Sequence, residues 1–144
     1  MLVQQILKSK ATEGVFTVKP GTSVADVASV LSNNRIGSVV VSATGKTADG
    51  ILSERDIVRE LGKRGAVCLS DKVDDMMTKN IVTCNCNERA DDILSKMTEG
   101  RFRHMPVIRD GEMVGLITLG DVVKARLSEL SMEKDALEGM IMGH

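Results

Sequence analysis

The sequence has no excess of either charge: 19 Lys and Arg stand against 20 Asp and Glu, for a net charge of −1. That balance excludes the basic field that holds nucleic acid and the polybasic patch that holds an anionic membrane. No apolar run approaches the length of a membrane span, and the opening MLVQQILKSKA lacks the apolar centre of a signal peptide. The expected location is therefore cytoplasmic. Cysteine is scarce. Cys68, Cys84 and Cys86 are odd in number and lack framework spacing, which fits a reducing compartment better than a disulfide scaffold. Cys84 and Cys86 share one face of an extended segment, but no second Cys or His pair completes a metal set, so no metal site is expected. There is no Walker loop, no G-x-G-x-x-G and no nucleophile–base pair with a third partner, so no catalytic residue is assigned. Tryptophan and tyrosine are missing altogether, which leaves little absorbance at 280 nm.

What the chain does have is a repeat. VFTVKPGTSVADVASVLSNNRIGSVVVS from Val15 aligns with IVTCNCNERADDILSKMTEGRFRHMPVI from Ile81. Thr17 falls on Thr83, Asp26 on Asp92, Ser29 on Ser95, Arg35 on Arg101 and Val41 on Val107. GILSERDIV from Gly50 then matches GLITLGDVV from Gly115, one residue shorter in register, which a single-residue change in a hairpin loop explains. Each copy reads as strand, helix, strand, strand, helix. Val24, Val27, Ala28 and Leu31 form a stripe of helical period, repeated by Ala90, Ile93, Leu94 and Met97. Pro20, Gly21 and Thr22 punctuate the start of the first helix, and Asn87 is the expected cap of its counterpart. Arg35 and Arg101 end these helices and complement their dipoles. Asp110-Gly111 signals a two-residue hairpin. The closing helices carry Ile57, Val58 and Leu61, matched by Val122 and Val123. A unit of about 60 residues buries too little surface to be comfortably stable alone, so two copies sharing a core are expected. The expected fold is mixed α/β: two pseudo-symmetric repeats with two equivalent clefts between them. The expected divisions are an N-terminal helix over 1–14, repeats over 15–64 and 81–127, a linker over 65–80 and a helical tail over 128–144.

The most distinctive shared feature is a hydroxyl residue followed three positions on by aspartate: Ser53 with Asp56, and Thr118 with Asp121. Such a pair caps a helix, the hydroxyl accepting a backbone N–H and the carboxylate favouring the dipole. The same place can hold a ligand. A helix N-terminus offers N–H groups to phosphate, and a carboxylate accepts two hydrogen bonds from the vicinal hydroxyls of a ribose. Spacing alone leaves both readings open.

These motifs together, T-V-x-P from Thr17, R-I-G-S-V-V-V from Arg35, G-I-L-S-E-R-D-I-V, F-R-H-M-P-V from Phe102 and G-L-I-T-L-G-D-V-V, resemble the cystathionine-β-synthase (CBS) domain family in its tandem-pair form. The resemblance covers roughly Val15 to Leu127. It implies a non-catalytic regulatory module that binds an adenine nucleotide: AMP first, with ATP, ADP, NAD or S-adenosylmethionine as other ligands. Ser53 and Thr118 would contact phosphate, and Asp56 and Asp121 the ribose. The base would lie against Thr17, Val18, Ser38 and Val39 in copy one, and against Thr83, Cys84, His104, Met105 and Pro106 in copy two. Arg103 and His104 of copy two, where copy one has Gly37 and Ser38, predict a tighter phosphate grip there, with Arg55 compensating in copy one. The bland alternatives are a solvated Arg103 and a packed His104.

The ends suggest assembly. Val3, Ile6 and Leu7 make one face of a short helix, while Val123, Leu127, Leu130, Leu137 and Ile141 run at heptad spacing, interrupted by Lys134. Such a stripe needs a surface to cover, in its own domain or another subunit. Family modules pair, so a homodimer acting on an unidentified effector protein is expected. The nine methionines are core filler and interface. The rival expectation is a constitutive interaction scaffold with the same fold and no physiological ligand.

Overall fold

A computed structural model describes residues 1–10 and 14–141. The element order is α1 (Val3–Ser9), β1 (Thr17–Val18), α2 (Val24–Asn34), β2 (Ser38–Val41), β3 (Gly50–Ser53), α3 (Glu54–Arg64), a 3₁₀ turn (Gly65–Ser70), α4 (Val73–Met76), α5 (Ala90–Gly100), β4 (His104–Arg109), β5 (Glu112–Thr118) and α6 (Leu119–Ile141). The fold is mixed α/β and follows the repeat. The described residues divide into two compact units: one of 14–82 with the hairpin tip 109–114, the other of 1–10, 83–108 and 115–141.

In the unit of repeat one, β1 pairs parallel to β2 and β2 antiparallel to β3, with Ser38 opposite Ser53. The helical stripe packs as its spacing requires. Val24, Val27 and Leu31 are buried with Val18, Val39, Val41, Leu52 and Ile57, and Ala28 packs partly against them. Repeat two reproduces the arrangement with Ala90, Ile93 and Met97 against Cys84, Met105, Val107, Ile117 and Val122, and with Leu94 partly buried beside them. Its opening strand is reduced to one parallel bridge, Cys84 to Val107. Cys86 also packs against this core, so the two cysteines do share a face. The β4–β5 turn has positive φ at Asp110 and Gly111, as a two-residue hairpin demands.

Several local expectations need correction. Asn87 does not cap α5. Arg89 occupies the cap position and makes no side-chain cap; the Ala90 N–H is satisfied by the Met1 carbonyl at 2.9 Å and the Asp92 N–H by Asp91 Oδ1 at 3.1 Å. The cap of α2 is Ser23, whose hydroxyl accepts the Asp26 N–H at 3.1 Å. Arg35 and Arg101 do more than complement a dipole. Both take the left-handed conformation that closes a helix, and the N–H groups of Ile36 and Phe102 reach back to Leu31 and Met97. Of the five residues expected to line the closing helices, only Ile57 and Val122 are buried, whereas Val58, Leu61 and Val123 face solvent.

The core of each unit is completed by a helix that precedes the other repeat. Val73 of α4 packs with Val24, and Val3 and Ile6 of α1 pack with Ala90 and Ile93. The backbone bonds correspond one for one. Val24 donates to Asp71 and Val73 to Thr22; Ala90 donates to Met1 and Val3 to Glu88. The structural repeat therefore includes a lead-in helix, Val3 standing where Val73 stands. Gly50 and Gly115 take part in the same equivalence. A Cβ would run into Met77 Sδ in the first case and meet Leu7 Cδ2 at 2.6 Å in the second.

Ile6→Ala removes a side chain that is 1% exposed and is expected to lower stability by about 2–5 kcal/mol. Hydrogen exchange should show protection falling in 83–108, which α1 covers, rather than in 15–53, which follow it in sequence. The opposite pattern would contradict the exchanged packing.

Candidate functional site

The two hydroxyl–aspartate junctions stand at equivalent points, each where a strand passes directly into a helix. At the first, Ser53 ends β3 and caps α3. Its hydroxyl accepts the Asp56 N–H at 3.3 Å, and Asp56 Oδ2 accepts the Ser53 N–H and hydroxyl, each at 2.9 Å. At the second, the Asp121 N–H donates to the Thr118 hydroxyl at 3.2 Å and the Thr118 N–H to Asp121 Oδ2 at 2.9 Å. Both are reciprocal capping boxes. Beside each, the first helical N–H donates to the neighbouring strand's approach: Glu54 to the Gly37 carbonyl at 2.9 Å, Leu119 to the Arg103 carbonyl at 2.8 Å.

The repeat thus brings Ser38 beside Ser53 and Asp56, while Thr17 and Val18 line up with Val40 and Val41 further along the sheet. Ser38, Val18 and Val39 are buried within the sheet. In repeat two, the Arg103 main chain reaches the start of α6, and its side chain is exposed. His104 is half-buried at the start of β4, Met105 and Pro106 are buried, and Thr83 is exposed. Arg55 lies exposed in the first turn of α3. Burial pushes the Cys84 thiol up to about 12, with the Glu88 carboxylate adding to it, so at neutral pH Cys84 is an un-ionised packing group. An open groove of about 460 Å³ runs between α2 and α3, lined by Ala28, Leu31, Arg35, Ile57 and Val58 among others, and takes in none of these candidates.

Each aspartate also holds a cation, which sequence spacing alone did not reveal at the second junction. Asp56 Oδ1 takes Arg59 at 2.7 Å, an i,i+3 pair whose arginine is largely exposed. Asp121 Oδ2 takes Lys10 Nζ at 2.9 Å, and the same ammonium donates to the Leu116 carbonyl at 2.8 Å. Lys10 ends α1, so the helix that completes the core also delivers this charge. Burial pushes the Asp121 carboxyl upward, but the Lys10 ammonium and the Thr118 N–H outweigh it and hold the group below the usual carboxylate range. Only a lead-in helix folded onto the later repeat brings position 10 to position 121. The signal that could have found it is the match of VQQILKS to VDDMMTK, which extends the repeat upstream.

Chemically, each junction gathers helix N-terminal N–H groups, a hydroxyl and a carboxylate, with the donors committed to capping and the carboxylates to cations. The CBS domain model matches the chain twice, over residues 3–63 and 73–128, the two spans opening on the equivalent valines of α1 and α4. The chain belongs to the CBS domain family, as a tandem pair. It is 41% identical to a CBS-domain-containing protein of known structure from Agrobacterium tumefaciens, with a TM-score of 0.82 over 88% of this chain and 99% of that one. It is 33% identical over 141 residues to the mitochondrial CBS domain-containing protein CBSX3 of Arabidopsis thaliana, covering 94% of this chain and 68% of the relative. A CBS domain protein of Pyrobaculum aerophilum, whose structure was solved in complex with AMP, shares the fold at 23% identity and a TM-score of 0.76, over 92% of this chain and 99% of that one.

Lys10→Gln is expected to raise the Asp121 carboxyl toward or above the ordinary range, because burial stays and the cation goes. Carboxyl-carbon NMR titration reads this directly. Because the folded-state value is depressed, Asp121 contributes stability at neutral pH that is lost as pH falls through that value. The variant should therefore be less stable at pH 7 and lose less on acidification. An unchanged Asp121 titration would contradict the pairing.

Proposed function

We propose that this chain is a non-catalytic regulatory module that senses an adenine nucleotide at its hydroxyl–aspartate junctions and signals occupancy through a homodimer to an effector protein. The observation that carries this reading is the same constellation built twice: Ser53 with Asp56 and Thr118 with Asp121, each where a strand passes directly into a helix. Helix N–H groups and a hydroxyl suit a phosphate, and the carboxylate suits a ribose diol. The AMP bound by the Pyrobaculum relative supports an adenylate as the first ligand to test. ATP, ADP and NAD share the adenosine monophosphate core and belong in the same panel. A ligand at the second junction must share Asp121 with Lys10 or displace it; at the first it meets the more exposed Arg59.

One observation favours the rival reading of a constitutive scaffold. Both carboxylates are already satisfied within the chain, by capping N–H groups and by cations. Adenylate binding separates the two readings. Since neither Trp nor Tyr is present, a co-purified adenine stands out near 260 nm. A ligand binding only the folded protein at 100 times its Kd adds about 2.7 kcal/mol of stability, which appears as a rise in melting temperature with AMP, ADP, ATP or NAD. Asp121→Asn keeps a competent capping residue and is expected to weaken binding at that junction at least about tenfold. Lys10→Gln, which breaks the same ion pair but leaves the carboxylate, should not weaken it. No melting shift across the panel at millimolar ligand, and no excess at 260 nm, would support the scaffold.

A further inference from the structure

The long closing helix carries an apolar seam that its own unit does not cover. On α6, Val122 and Ala125 face the core, while Val123, Leu127, Leu130, Leu137 and Ile141 are 40–84% exposed. These five, with Lys134, fall on alternating spacings of four and three, a continuous heptad stripe. The first half of α6 is docked by its other face. From Ser131 to Glu138 every residue is exposed, so the second half projects with no covering surface among the described residues. A bare helical segment of that length is marginal in water, and an apolar stripe along it calls for a partner helix.

We infer that this seam pairs with the α6 seam of a second copy of the chain, running antiparallel. This deepens the assembly part of the proposed function. In that register the projecting half of each helix covers the docked half of the other. Val123 meets Ile141 of the second copy, Leu127 meets Leu137, and Leu130 meets Lys134. One contact repeated by twofold symmetry closes the pair.

Charge selects the direction. A parallel pair stacks Lys134 on Lys134 inside the seam and sets Glu133 beside Glu138 of the other helix, twice. The antiparallel pair separates the lysines, lays each alkyl stem on a leucine, and sets Lys124 beside Glu138 of the second copy, twice. Glu138 is held only by an exposed i,i+4 pair with Lys134 at 3.8 Å, which the contact with Lys124 of the second copy would replace. Its one charge cost is Glu133 facing its own symmetry mate.

The test is sedimentation equilibrium of the full chain across a concentration series at low salt. The wild type is expected to dimerise. Leu127→Ser and Leu137→Ser alter exposed side chains, so both variants should fold, with a dimer dissociation constant raised at least about tenfold. Lys124→Glu and Glu138→Lys singly should each weaken the dimer at least about threefold, and the double exchange should restore it. A wild type that stays monomeric overturns both the seam and the homodimer reading, and leaves the stripe to a different partner. A dimer indifferent to all four substitutions overturns the seam and leaves the homodimer standing. Tightening by Glu138→Lys alone, with no rescue in the double variant, would mark a parallel pair and overturn the antiparallel one. Glu133→Gln should tighten the antiparallel dimer.

Discussion

Each unit buries the first valine of a short helix that the chain delivers before the opposite repeat, Val3 in one and Val73 in the other, both fully inaccessible to solvent. The attachment is made by main chain as well as side chain. A pair of backbone hydrogen bonds of 2.7–2.9 Å ties each lead-in segment to the start of the helix it covers. That exchange explains why the glycines at 50 and 115 lie directly beneath Met77 and Leu7, and why neither repeat has a whole core within its own stretch of sequence. A segment of this size gains too little from burial to fold alone, so the two repeats fold by completing one another's cores.

The same constraint makes the two junctions unequal. Both use identical capping chemistry, yet the cation on Asp56 comes from the next turn of its own helix, while that on Asp121 comes from the far end of α1. An i,i+3 arginine at the surface rearranges readily. Lys10 is held at two points, Asp121 and the Leu116 carbonyl, by a helix that is itself part of the core. Under the proposed function, occupancy of the second junction would be coupled to the lead-in helix in a way that occupancy of the first would not. This inequality is distinct from the one suggested by Arg103 and His104, and under the proposed function it would act in the opposite direction, opposing binding where those residues would favour it.

In α6 two demands meet in one helix. Its start is fixed by the Thr118–Asp121 cap and by Val122 and Ala125 in the core. Its end presents apolar side chains to solvent. A ligand at the cap and a partner on the seam would therefore act on a single rigid element, with no loop between them. Helices transmit displacement along their axis because their hydrogen bonds are internal.

Much of this was written in the order of residues. The repeat, the helical stripes with Val24, Val27 and Leu31 or Ala90, Ile93 and Met97, the hairpin at Asp110-Gly111 and the paired hydroxyl–aspartate junctions all follow from periodicity and local chemistry, which act over three or four residues. Tertiary structure decided what depends on distant partners. Asn87 has the chemistry of a cap, but it lies two residues ahead of the cap position, which the fold gives to Arg89, with the Met1 carbonyl binding the first helical N–H. Val58 and Val123 fit the helical pattern, but their helices present another face inward. Lys10 is an unremarkable surface lysine in sequence and a bound cation in the fold. Local spacing determines which face of a helix is apolar and which residue can end it; only the packed chain decides what that face meets, because a backbone donor or a charge can be satisfied from any point that folding brings within about 3 Å.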